Sequence, residues 1–298
     1  MMTEREPIVS VVTPTFNRAD YLHHAIESVL AQTVDRFELL VVDDGSTDAT
    51  PELMERYAGD PRIRYFRQPN QGQSVARNRG IREARGDFVC FLDSDNAWLP
   101  DKLAKSLEVF RENPECHVVY GDYIEIDQWG RELGLNRMRR YSGAITPELL
   151  KDNFVSMNTT MTRRGCFEVM GGFDEADRLA EDYGLWLRLS TRYCFYYLAE
   201  VLGFYRVMEH QISSDKRRRL YANEKILLSF LETYPDSVTS EQRCRGLSHF
   251  YLRRARFLAS EKSYLEAYRD IGRSIRQDAL WPGPWRGAAK VTLRAVIP

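Results

Sequence analysis

No stretch of the chain approaches the roughly 18 consecutive apolar residues that a membrane span requires. Residues 1–7, ahead of the first apolar run, are polar and charged and offer no signal-peptide core. Both absences point to a cytoplasmic protein whose contact with a membrane, if any, is peripheral and at its inner face. Cysteine is sparse: Cys90, Cys116, Cys166, Cys194 and Cys244 stand singly, without C-x-x-C spacing. That argues against a zinc site or a disulfide framework and leaves reduced core residues. Glycine is missing where a phosphate-cradling loop would need it, because the first strand runs into TPTFNRAD (13–20). Net charge is almost absent, at −1 over 298 residues.

That neutrality hides an asymmetry. From Ser213 onward, 17 Lys and Arg stand against 9 Asp and Glu, a net of +8, so the rest of the chain carries −9. An acidic front suits a divalent cation. A basic rear suits an anionic partner such as a membrane surface or a phospholipid-linked substrate, or is simply a solvated helical surface. Apolar residues make up 43% of the chain, enough for a large core.

The pattern of elements is α/β. A β-branched strand (8–13) is broken by Pro14 and followed by a helix with Leu22, Ile26, Val29 and Leu30 on one face, capped by Asn17 or Asp20. Strands then follow at 37–42, 63–66, 87–92 and 118–120, separated by helices at 48–57, 75–84 and 102–113. This alternation predicts a mostly parallel sheet with flanking helices, Rossmann-like, covered on both faces. From 121 to 172 the pattern loosens into hairpins and loops, the place for a substrate-specific insertion. A helix at 179–189 and an aromatic strand at 194–205 follow. After Ser213 the chain turns helical, at 216–234, 240–260 and 264–277, and forms a C-terminal appendage. Trp281, Trp285, Arg286, Lys290 and Arg294 beside the run 216–219 suit a membrane interface or packing against the rest of the chain.

Two apolar strands end in acids: VVDDGSTD (41–48) and FLDSDNAWLP (91–100). A buried parallel strand delivers such acids to the carboxyl edge of a sheet, where open α/β folds bind ligands. Asp93 and Asp95 lie two apart, so an extended strand points both the same way. They fit Mg²⁺ or Mn²⁺, whose shell is completed by water and phosphate, or a solvated turn in which Asn96 or Asp101 caps the next helix. Asp44 can accept from a base N–H or a ribose hydroxyl, while Asp48 reads as a helix cap. Glu181 and Asp182 open a helix, either as acids favoured by its dipole or as a general base at a cleft.

Seven stretches in order carry a resemblance: SVVTPTFNR (10–18), AIESVLAQT (25–33), FELLVVDDGSTDAT (37–50), GQSVARNRGI (72–81), GDFVCFLDSD (86–95), GGFDE (171–175) and EDYGLWLRL (181–189). Together they resemble family 2 glycosyltransferases, inverting enzymes of the GT-A fold that use nucleotide-diphosphate sugars. The resemblance implies a catalytic domain over 1–212, its nucleotide-sugar half at about 1–115 and its acceptor half at about 116–212, with 213–298 as the appendage. It implies that Pro14, Thr15, Asn17 and Asp44 hold the nucleoside and that Arg77 lies near the base or diphosphate. Asp93 and Ser94 would face the donor, with Asp95 and Asp93 as metal ligands and Asp182 as catalytic base. Gly172, Glu181 and Trp186 would lie on the acceptor side. The implied partners are a nucleotide-sugar donor, preferably a UDP-sugar, with Mn²⁺ or Mg²⁺, and a saccharide or lipid-linked saccharide acceptor of surface polysaccharide synthesis; nucleic acid is not among them.

Two positions depart from the family pattern. Asn96 stands where Asp-Ser-Asp-Asp usually ends, and in YRVMEHQIS (205–213) Met208 takes the usual histidine position, with His210 two residues on as the substitute metal ligand. Two rivals remain: a sugar nucleotidyltransferase, which would need a glycine-rich, basic loop after the first strand, and a non-catalytic nucleotide-sugar-binding scaffold.

Overall fold

β-Branched runs build the first half of the sheet. In this computed structural model residues 6–136, 138–208 and 215–296 are described, 293–296 by backbone alone. β1 (Val9–Thr15) and β2 (Phe37–Asp43) are buried along their whole length, as strands covered on both faces must be. β1 pairs in parallel with β2, from Val9 against Phe37 to Thr15 against Asp43, and β3 (Ile63–Arg67) extends the sheet beyond β2. On its other side β1 pairs with β4 (Phe88–Phe91), from Val9 against Phe88 to Val12 against Phe91. Pro14 therefore lies inside β1 and does not end it. It falls past the last residue paired with β4, where a missing N–H breaks no ladder.

The chain runs outward from β1 to β2 and β3, then returns to place β4 on the far side of β1. Such a reversal opens a crevice at the carboxyl ends of the strands on either side of it. α1 (Ala19–Leu30), α2 (Thr50–Glu55) and α3 (Gln73–Glu83) make the connections. α3 lies so close to β1 that a Cβ on Gly80 would meet Val12 Cγ1 at 2.2 Å. Neither Asn17 nor Asp20 caps α1; its first N–H, on Ala19, donates to Asp48 Oδ2 at 3.0 Å.

The farther half is mixed. β8 (Met161–Arg163) is antiparallel to β4 and to β6 (Cys116–Ile126), whereas β9 (Cys194–Arg206) is parallel to β6. β5 (Ala97–Trp98) and β7 (Glu132–Leu135) run antiparallel to β9 and β6. Among the described residues nine strands form one sheet, ordered β3-β2-β1-β4-β8-β6-β9-β5 with β7 on β6. The expected parallel pairing holds from β1 to β4, where helices make the crossovers. Beyond β4 the chain enters through a three-residue strand and a hairpin, which permit antiparallel neighbours. α4 (Lys102–Glu112), α6 (Gly165–Met170) and α7 (Glu181–Ser190) complete this part.

The chain divides into two compact units, 1–143 with 155–214, and 144–154 with 215–298. The second is helical: α5 (Thr146–Leu149), α8 (Lys216–Thr233), α9 (Ser240–Ser260), α10 (Tyr264–Gln277) and α11 (Pro282–Val296). α11 goes beyond the three helices expected, and Pro282 opens it at the position where a missing N–H has no partner to lose. Ala255, Leu258, Ala259, Ala267, Ile271 and Val291 form its apolar core. Beside them the buried Arg254 binds Asp270 at 2.6 and 2.9 Å and Glu224 at 2.5 Å. Trp281 stacks on His249 with ring centres 3.9 Å apart, while Trp285 is 54% exposed. All five cysteines are free thiols. Cys90, Cys116 and Cys166 are buried as expected, but Cys194 is exposed and Cys244 half-buried. No helix among the described residues is long and apolar enough to cross a membrane.

Candidate active site

The carboxyl ends of β1 and β2 are knitted into one surface. Asp44 N–H donates to Thr15 O at 2.8 Å, and Asn17, at φ +51°, accepts from the backbone N–H of Thr47 at 2.8 Å and of Asp48 at 3.3 Å. Asp43 is wholly buried and accepts from Ser46 N–H at 2.7 Å and from the Tyr65 phenol at 2.6 Å. Burial, then that hydrogen bond, pushes the Tyr65 pKa up, so the phenol stays a donor. Asp44, also buried, binds the next loop: it accepts from Gln68 Nε2 at 2.9 Å and from the N–H groups of Gln71 and Gly72 at 3.0 and 2.7 Å. Pro14, Thr15, Asn17 and Asp44 are thus brought together, and Asp44 shapes the polar loop that leads into α3. Thr15 is buried, and its hydroxyl has no hydrogen-bond partner among the described residues.

α3 carries Arg77 into the crevice beside β4. Its guanidinium donates to Asp93 Oδ1 at 2.7 Å and to Glu181 Oε1 at 2.5 Å and lies 5.5 Å from the Phe173 ring centre. Burial opposes the charge, but the two carboxylates outweigh it and raise the Arg77 pKa. This ion triad ties the end of β4 to the start of α7. Asn158, which follows no sequence signal, completes it: its Oδ1 accepts from Asp93 N–H at 2.7 Å and its Nδ2 donates to Asp93 Oδ2 at 2.9 Å. Both oxygens of Asp93 are therefore engaged by protein. Ser94 beside it is buried.

Asp182 occupies the first turn of α7, half-buried, with Oδ1 accepting from Tyr183 N–H at 2.8 Å. Ala180, just before this turn, holds the left-handed backbone at φ +59°, a conformation that costs a non-glycine residue about 1 kcal/mol or more and clusters at functional sites. The GGFDE segment leads in: Asn78 of α3 pairs reciprocally with the Phe173 backbone at 2.8 and 2.9 Å, and Gly172 O accepts from the Arg188 guanidinium. Glu181 is buried against Arg77 and Trp186 is fully buried, edge-on to Phe195. Both were expected on the acceptor side. The structure places Trp186 in the core behind α7, where its apolar ring packs against the sheet.

Asn96 does not extend the acid cluster. It is 1% exposed, and its Oδ1 accepts from Arg206 N–H at 2.7 Å, fastening the end of β9. Among the described residues no group of three His, Cys, Asp or Glu is arranged to hold a metal; His210 lies outside them, while Met208 lies within. Of the expected ligands, Asp93 has its two carboxylate oxygens engaged by Arg77 and Asn158, and the Asp95 backbone carbonyl accepts from Arg206 Nε at 2.9 Å.

Residues 10–170, more than half of the chain, match the family model described as glycosyl transferase family 2. The putative teichuronic acid biosynthesis glycosyltransferase TuaG of Bacillus subtilis (strain 168) is 34% identical over 220 residues, 72% of this chain and 85% of that protein. An uncharacterized glycosyltransferase of Rickettsia bellii (strain RML369-C) is 36% identical over 188 residues, 63% of this chain; the match takes in only 27% of that longer relative. Among solved structures, S. aureus TarS 1-349 in complex with UDP-GlcNAc matches with a TM-score of 0.72 at 19% identity, covering 96% of this chain and 89% of that one. The shared architecture is a curled mixed sheet with flanking helices, the GT-A type.

Proposed function

The chain belongs to glycosyl transferase family 2, and we propose that it moves the sugar of a nucleotide-diphosphate donor, a UDP-sugar in preference, onto an acceptor hydroxyl with inversion. The observation that carries this reading is the Asp93–Arg77–Glu181 triad, which fixes the acid-tipped strand and the helix bearing Asp182 in one frame. In it the nucleoside lies against Pro14, Thr15 and Asn17, beside the loop that Asp44 holds. Arg77 turns its charge toward the carboxylates, and so acts by positioning Asp93, on the donor side, and α7, on the acceptor side. Asp182 accepts the proton of the acceptor hydroxyl as that oxygen forms its bond to the anomeric carbon from the face opposite the nucleotide, and the bond to the diphosphate breaks. One displacement inverts the configuration and needs no covalent enzyme intermediate.

Asp95 would hold Mg²⁺ or Mn²⁺, which supplies neutralisation of the charge on the departing diphosphate. The UDP-GlcNAc bound by TarS supports uridine as the first choice of base. The biosynthetic role printed for TuaG supports a saccharide or lipid-linked saccharide of a surface polysaccharide as acceptor. The exposed basic residues 216–219 suit peripheral contact with an anionic membrane at its cytoplasmic face.

A thermal-shift screen of UDP, GDP and dTDP with Mn²⁺ tests the donor assignment. A ligand at about 100 times its Kd adds roughly 2.7 kcal/mol of apparent stability. UDP is expected to raise the melting temperature most; equal, negligible shifts with all three would count against a nucleotide-sugar site of any kind.

A further inference from the structure

β6 and β7 meet in a tight turn with Trp129 at its tip. Asp127 N–H donates to Arg131 O at 2.9 Å and Gly130 N–H to Asp127 O at 3.0 Å. One oxygen of the Asp127 carboxylate accepts from the N–H groups of Trp129 and Arg131, each at 2.9 Å. Gly130 takes φ +88°, the left-handed residue that such hairpin loops require. The turn is therefore held by four hydrogen bonds, yet the indole it carries is 72% exposed. A polar side chain would satisfy the turn as well and keep less apolar surface in water.

The hairpin is also tied to the site. Arg206, only 6% exposed, donates from Nη1 to Asp127 O at 3.0 Å and Gln128 O at 3.1 Å, and from Nε to Asp95 O at 2.9 Å. Because the guanidinium is a rigid fork, the carbonyls of the turn lie within roughly 9 Å of the Asp95 carbonyl. The same Arg206 backbone is fastened by Asn96. One residue thus fixes the hairpin relative to the end of the acid-tipped strand. Arg131 lies over Trp129, 5.6 Å from a ring centre.

We propose that the Trp129 hairpin docks the acceptor, and that the acceptor is an oligosaccharide. A pyranose presents an apolar face of C–H groups and a polar rim; an exposed indole suits the face, and the Arg131 fork suits hydroxyl or carboxylate oxygens on the rim. The inference rests on the transferase reading and gives Trp129 the acceptor-side place that the family resemblance implies for Trp186.

The full chain is to be titrated by calorimetry with two defined tetrasaccharides, one of N-acetylglucosamine and one alternating uronic acid with hexosamine. At least one is expected to bind the parent protein, with affinity at least tenfold lower in Trp129→Ala and largely kept in Trp129→Phe. Release of UDP from a UDP-sugar without acceptor is expected to be equal in all three proteins. Equal tetrasaccharide affinity in Trp129→Ala, or no binding of either tetrasaccharide by the parent, overturns the docking assignment. Trp129-dependent binding in a protein that releases no nucleoside diphosphate from UDP-, GDP- or dTDP-sugars leaves docking standing and removes the transferase reading instead.

Discussion

Arg77 serves two carboxylates that approach it from separate elements, so its loss strands both. Asp93 keeps Asn158, but the buried Glu181 loses the guanidinium that it faces. Breaking a buried ion pair from one side costs about 3–5 kcal/mol. Arg77→Met is therefore expected to lower the stability of the sheet unit by that order, read as a fall in the denaturant midpoint; an unchanged midpoint would show that the triad holds nothing together. At this scale the acids were legible in the sequence because they end apolar runs, and Asp182 because it opens an amphipathic helix. Asn158 was not: an amide in the aperiodic stretch 121–172 gives no pattern to read. Nor was the work of Asn96, whose departure from the family motif becomes intelligible only beside the Arg206 backbone.

Elements carry their own tension. α4 begins with Lys102, fully buried, its Nζ 3.0 Å from Cys90 Sγ, 3.1 Å from Thr160 O and 3.9 Å from the Trp98 ring centre. Burial lowers its pKa, and the nearby Cys90 only partly offsets this. The folded state therefore binds this proton less readily than the unfolded chain, and the resulting penalty grows as pH falls below the ordinary lysine value. Lys102→Met, which fills the same volume without a charge, is expected to stabilise the protein at pH 7 by about 1–3 kcal/mol. A loss of stability in thermal unfolding would instead mean that the bonds to Thr160 and Cys90 outweigh desolvation.

Element boundaries were clearest where amphipathic periodicity is long, and α9 and α10 fall where expected. β8, with three residues, is too short to show alternation, and α11 begins in a Pro-Gly-Pro run that reads as irregular chain. The strand order beyond β4 depends on hairpin reversals that leave no mark on periodicity.

Over the whole molecule, the basic rear of the sequence becomes a separate helical unit with its own core and its own pH dependence. Residues 144–154 belong to it through contacts such as Asp152 with Arg253, a pairing some hundred residues apart that no local pattern announces. His249 in α9 has its pKa pushed down to about 4, first by burial, then by Lys151 and Arg245. The folded unit thus holds the neutral ring, and the unfolded chain takes up the proton from about pH 6.5 downward. Stability from this residue is full above that value and is lost as pH falls toward 4. His249→Phe, which keeps the stack on Trp281, is expected to flatten the fall in melting temperature between pH 7 and 4.5; an identical pH profile would assign the loss to other groups.

In the proposed reaction Asp182 is the base. The amide in Asp182→Asn keeps an acceptor for Tyr183 N–H, so the turn is preserved while the base is removed. The decisive measurement is the release of UDP from a UDP-sugar with Mn²⁺ by the parent protein and by Asp182→Asn, with the UDP-induced thermal shift recorded for both. The expected result is a loss of about 10²–10⁴-fold in release with an unchanged thermal shift. Equal rates of release in the two proteins would contradict the assignment of Asp182 as the base.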